Sequence, residues 1–75
     1  MEVIKKFVAD EILRTIKIKG LSQKQVALLS DSTQPIISNI CNYRLDNITC
    51  DRLFKICKDI GGKIELNTPQ RKHRL

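Results

Sequence analysis

The chain has 75 residues, with fourteen Lys and Arg against eight Asp and Glu, a formal charge of +6. That length allows one small domain, and 41% apolar with 29% charged residues is ordinary globular usage that excludes wholesale disorder. Apolar runs as short as Val26–Leu29 cannot cross a bilayer, Met1-Glu2-Val3-Ile4-Lys5-Lys6 followed by Asp10 and Glu11 predicts no signal or transit peptide, and the positive charge fits a polyanionic partner.

Residues 3–19 carry Ile4, Phe7, Val8, Ile12 and Ile16, with Ala9 and Leu13 widening the stripe. This is helical spacing. Lys17 and Lys19 suit the last turn, and Gly20 suits the stop. Ser22 and Gln25 form the Ser-x-x-Gln pattern of a capping box, so a second helix starts there. Its expected inner face is Val26, Ala27 and Leu29. Ser30-Asp31-Ser32 reads as a turn.

Thr33 is the expected cap of a third helix, with Pro35 in the first turn, where its missing N–H does no harm. Ile37 and Ile40 point inward, and a polar loop, Tyr43–Ile48, follows. Thr49 caps a fourth helix whose stripe is Leu53, Ile56, Cys57 and Ile60, with Phe54 beside it and Gly61-Gly62 ending it. The period then changes. Lys63-Ile64-Glu65-Leu66-Asn67 alternates polar and apolar, which predicts a strand that Thr68-Pro69 ends. The expected division is therefore a domain at 1–67, with its strand at 63–67, and a flexible basic tail at 68–75.

A domain this small usually needs a staple beyond its own core. Cys41, Cys50 and Cys57 are odd in number and lack a CxxC pair, and His73 is distant in the tail, so no metal site and no cofactor are expected. Without a secretion signal the expected compartment is the reducing cytoplasm, where cysteines act as small hydrophobes. Oligomerisation is the remaining staple.

Two short helices joined by a three-residue turn inside a helical domain form the helix-turn-helix pattern. Ala27 sits where the helices cross, and Ile37 and Ile40 seat the second helix. The positions left outside are Gln34, Ser38, Asn39 and Ile36. Gln and Asn can bond bidentately to an adenine edge, Ser can donate or accept, and an apolar group can meet a thymine methyl. None is acidic, whereas a carboxylate there would face phosphates. A plain helical hairpin would leave Gln34 and Asn39 merely solvated, but the cap, the turn length, the small crossing residue and the acid-free face all favour DNA.

Gly20-Leu21-Ser22-Gln23, then Ala27, then Thr33-Gln34-Pro35-Ile36-Ile37-Ser38-Asn39-Ile40, resembles the lambda-repressor/Cro (Xre) helix-turn-helix superfamily. Within it the chain is similar to the HipB-type antitoxins, through Ile37-Ser38-Asn39, Asp46-Asn47, Leu53-Phe54-Lys55-Ile56 and a strand after the last helix. The resemblance covers roughly residues 7–67. It implies a mostly α fold of four to five helices with one C-terminal strand that pairs across a homodimer through Ile64, Glu65 and Leu66. A lone strand leaves its backbone groups unpaired, so a second copy also answers a physical need.

The resemblance further implies an autorepressor on a palindromic double-stranded operator, bound in the nucleoid. Gln34 and Ser38 would read bases, with Thr33, Pro35 and Asn39 alongside. Ser22 and Gln23 would meet phosphate at a helix N-terminus, and the charge and position of Lys24, Tyr43 and Arg44 add them as backbone clamps. The family's second activity is neutralising a HipA-type kinase toxin. This chain departs from the family at its turn, which lacks the usual glycine, although Asp31 tolerates positive φ, and in its short basic tail, Lys72-His73-Arg74-Leu75.

The alternatives are a Cro-like repressor of a phage or mobile element without a toxin, and a HigA-type antitoxin of an mRNA-cleaving toxin. An RNA-binding protein would show stacking aromatics on a sheet, against three dispersed ones, Phe7, Tyr43 and Phe54. An enzyme is not expected, because no Ser/His/Asp or Cys/His set can be assembled around His73. The charge itself divides evenly. Residues 1–66 hold eleven basic and eight acidic groups, hence +3, and Arg71, Lys72 and Arg74 supply the other +3.

Overall fold

The computed structural model describes residues 2–64. Four helices appear there in the expected order: α1 (Glu2–Lys19), α2 (Gln23–Leu29), α3 (Gln34–Cys41) and α4 (Cys50–Asp59). The main contacts are α1 on α4 and α2 on α3, with α1 also touching α3.

Every cap read from the sequence closes. Ser22 Oγ accepts from Gln25 N at 3.1 Å while Gln25 Oε1 accepts from Ser22 N at 2.8 Å. Thr33 Oγ1 accepts from Ile36 N, and Thr49 Oγ1 from Arg52 N. Each cap satisfies an N–H that helix geometry leaves without a partner. Ser22→Ala removes both halves of the capping box and is expected to cost ~1 kcal/mol, read as a lower urea midpoint at unchanged m-value.

All four helices stop in the same way. A left-handed residue follows each one, and two backbone N–H groups turn back onto the last carbonyls. Gly20 (φ 65°) and Gly61 (φ 89°) fill that position after α1 and α4, while Asp31 (φ 54°) and Tyr43 (φ 57°) fill it after α2 and α3. The paired bonds are Gly20 N to Lys17 O and Leu21 N to Ile16 O, then Asp31 N to Leu28 O and Ser32 N to Ala27 O. After α3 they are Tyr43 N to Ile40 O and Arg44 N to Asn39 O, and after α4 Gly61 N to Lys58 O and Gly62 N to Cys57 O. The glycine-free turn therefore forms, with Asp31 in the left-handed conformation.

The core gathers Val8, Ala9 and Ile12 of α1, Val26 and Ala27 of α2, Ile37 and Ile40 of α3, and Leu53, Ile56 and Cys57 of α4, closed by Ile60. Three expectations need correction. Leu29 is 53% exposed, because α2 ends at it and the buried Ser30 takes the inner position, with Ser30 Oγ donating to Val26 O at 2.7 Å. Ile4 and Phe7 are 41% and 54% exposed, because the buried face of α1 runs through Val8, Ile12 and Thr15 instead. The 43–48 loop is not wholly polar, since Leu45 and Ile48 are buried in the core.

Lys63 and Ile64 have no regular structure, although Ile64 packs on the core. The remainder of the expected strand, and the tail, lie outside the described residues. Among the described residues the three cysteines are free thiols.

Candidate nucleic-acid interface

The helix-turn-helix unit is α2, the turn at Ser30–Ser32 and α3. Its geometry depends on the turn being pinned from below. Lys55 Nζ, from α4, donates to Ser30 O at 3.2 Å and pairs with Asp59 Oδ2 at 2.8 Å. The α2–α3 corner is thus tied to the helix that carries the core.

On α3 the two faces separate cleanly. Ile37 and Ile40 are fully buried, Gln34 and Pro35 are exposed, Ser38, Asn39 and Ile36 are half-buried, and the Thr33 cap is exposed. The outer face carries no carboxylate, and its side-chain amides and hydroxyl are base-edge readers in type. Ser22, Gln23 and Lys24 are exposed at the start of α2. Helix geometry leaves the N–H groups of Gln23 and Lys24 without helical acceptors there. Burial pushes the Cys41 thiol pKa up, and the Gln23 side chain beside it pulls it back.

Tyr43 and Arg44 follow α3 directly and are exposed. Tyr43 is held rather than free. Its hydroxyl donates to Asp10 Oδ1, which raises the phenol pKa, and Lys6 Nζ lies 5.6 Å from the ring centroid. Lys5 Nζ donates to Leu45 O at 3.1 Å. A bulky residue at positive φ is a costly conformation, and these contacts from α1 hold it. The hydroxyl that a phosphate clamp would use is therefore engaged, and Tyr43 instead fixes the backbone that presents Arg44.

The structure also brings in a residue that the sequence reading did not single out, Arg52. A cleft of about 420 Å³ is lined by Asn39, Tyr43, Arg44, Asp46 and Asn47, and one of about 220 Å³ by Ile36, Asn47, Ile48, Thr49 and Arg52. The first puts Arg44 beside α3, and the second does the same for Arg52. Arg52 had a sequence signal. A cation in the first turn of a helix opposes the helix dipole, so its placement there asks for another reason.

The family model described as a helix-turn-helix domain matches residues 2–68. The chain belongs to that helix-turn-helix domain family. No curated protein and no solved structure matches it. This helix-turn-helix domain is of the kind that binds DNA in transcriptional regulators. Among its described residues, no group of three His, Cys, Asp or Glu side chains gathers as a metal site, and no helix is long and apolar enough to cross a membrane.

Proposed function

We propose that the protein is a sequence-specific transcriptional repressor of the lambda-repressor/Cro type that binds a palindromic operator as a cytoplasmic homodimer. One observation carries this reading: α3 buries Ile37 and Ile40 while presenting an acid-free polar face led by Gln34. Gln34, Ser38 and Asn39 read bases, flanked by Thr33 and Pro35. Ser22, Gln23, Lys24 and Arg44 meet phosphates, and Arg52 extends that set. The dimer joins through strand 63–67 at Ile64, Glu65 and Leu66, which places the two α3 helices in successive major grooves.

Selection of duplexes from a random pool tests the reading. Wild-type protein is expected to enrich a two-fold symmetric site. Gln34→Ala is expected to weaken binding to that site by ~1–3 kcal/mol, leaving affinity for random DNA and the melting curve unchanged. Equal losses on both DNAs would remove Gln34 from base reading.

The resemblance to HipB-type antitoxins supports a second role, neutralising a HipA-type kinase toxin through the dimer body. Purification from the native host at low salt, with identification of the bound protein, decides among the relatives. A kinase supports this role, an mRNA-cleaving toxin points to the HigA type, and a chain that carries DNA alone points to a Cro-like repressor.

A further inference from the structure

Along one face of α1, the exposed Ile4, Phe7, Arg14 and Ile18 and the half-buried Glu11 alternate three and four apart, the spacing of a coiled-coil seam and distinct from the buried stripe of Val8, Ile12 and Thr15. Ile4, Phe7 and Ile18 are 41%, 54% and 70% exposed. At the centre, Arg14 Nη2 lies 3.2 Å from Glu11 Oε1, and Lys63 N donates to Glu11 Oε2 at 3.3 Å. The seam therefore lies beside Lys63, which follows the stop of α4.

The seam is self-complementary in one orientation. In an antiparallel pair whose two-fold axis passes between Ile12 and Leu13, Phe7 of each copy meets Ile18 of the other. Glu11 of each copy then meets Arg14 of the other. Arg14 has donors enough for both its own Glu11 and the second one. A parallel pair would stack Glu11 on Glu11 and Arg14 on Arg14, which repel. Charged pairs in an otherwise apolar seam set register and orientation.

We propose that this face of α1 is an interface between two copies of the chain, packed antiparallel. The inference rests on the homodimer proposed above and assigns it a second contact surface. Lys63, where the proposed strand would begin, is bonded to Glu11 of the seam, so one two-fold axis can serve both contacts. The seam also gives a domain of this size apolar burial that its own core does not provide.

Sedimentation equilibrium of the full chain tests this. Wild type is expected to dimerise, and Phe7→Glu and Arg14→Glu are each expected to raise the dissociation constant roughly tenfold or more, because each buries an unpaired charge at the seam. Both positions are exposed, so circular dichroism should show unchanged helix content. Leu28→Glu, at a residue 74% exposed on α2, is the control and should leave the dimer intact. A monomeric wild type overturns the proposal. So does a Phe7→Glu chain that dimerises as wild type does, or a Leu28→Glu chain that is equally impaired. A chain ended after Ile64 tests the strand separately. If it loses the dimer while Phe7→Glu keeps it, the strand reading stands and the seam falls. If it keeps the dimer while Phe7→Glu loses it, the reverse holds.

Discussion

Ile37→Ala is expected to lose ~2–5 kcal/mol of folding stability, read as a drop in the urea midpoint and in the melting temperature. Ile37 is fully buried and belongs to the one core cluster shared by all four helices. Truncation removes its methylenes from a packed site and leaves a void that the short α3, eight residues long, cannot fill by shifting without moving its capped start. A core of this size rarely supplies more than ~3–5 kcal/mol, so the variant should be largely unfolded in the absence of ligand. Its DNA phenotype differs in kind from that of Gln34→Ala. Loss of fold lowers apparent affinity for every sequence alike, and saturating operator should recover part of the folded fraction, because DNA binds only the native state. A variant that stayed as stable as wild type would show that α3 is not seated by this contact.

What the sequence revealed and what it hid follow one physical division. Caps and stops are local, and each is written in a few adjacent side chains. Ser22 with Gln25, Thr33, Thr49, Gly20 and Asp31 were therefore legible, and the structure bears them out. Faces are not local. Helical spacing marks apolar positions but does not say how many stripes they make, so Ile4 and Phe7 merged with the core stripe although they belong to a separate seam. Leu29 was misread for a related reason: burial of the last turn of a seven-residue helix depends on where the chain turns, and Ser30 took the inner place. Tyr43 was the hardest. No sequence rule places a bulky side chain at positive φ, and only the approach of Lys6 and Asp10 from α1, more than thirty residues away, makes it tolerable.

The same division governs the charge. Counting Lys and Arg suggests a basic protein, but the outer face of α3 is neutral, and the cations proposed to flank it, Lys24, Arg44 and Arg52, come from three different segments. In the proposed reading, phosphate attraction comes from cations around a neutral surface, discrimination rests with Gln34, Ser38 and Asn39, and anchoring falls to the rim.

Gly62→Ala is expected to destabilise the domain by ~1–3 kcal/mol, although it adds a single carbon. A Cβ at Gly62 would lie 2.5 Å from Cys57 Sγ, 3.0 Å from Thr15 Oγ1 and 3.2 Å from Cys57 O. None of the three can yield freely. Cys57 and Thr15 are buried, Thr15 Oγ1 is held by its bond to Glu11 O at 2.9 Å, and Cys57 O accepts from Gly62 N at 2.8 Å as part of the stop after α4. The close approach predicts non-additivity. Cys57→Ala removes the sulfur that the new carbon meets, so the double variant should cost less than the sum of the singles by ~0.5–3 kcal/mol in a urea cycle. Additive costs would show that the sulfur contact is not the cause. The effect should also reach beyond the helix, because Gly62 sets the direction of Lys63, whose N–H is bonded to Glu11 in the α1 seam. Pushing residue 62 outward moves that anchor, so Gly62→Ala is expected to weaken self-association even at temperatures where the monomer remains folded, and sedimentation beside the melting curve separates the two losses.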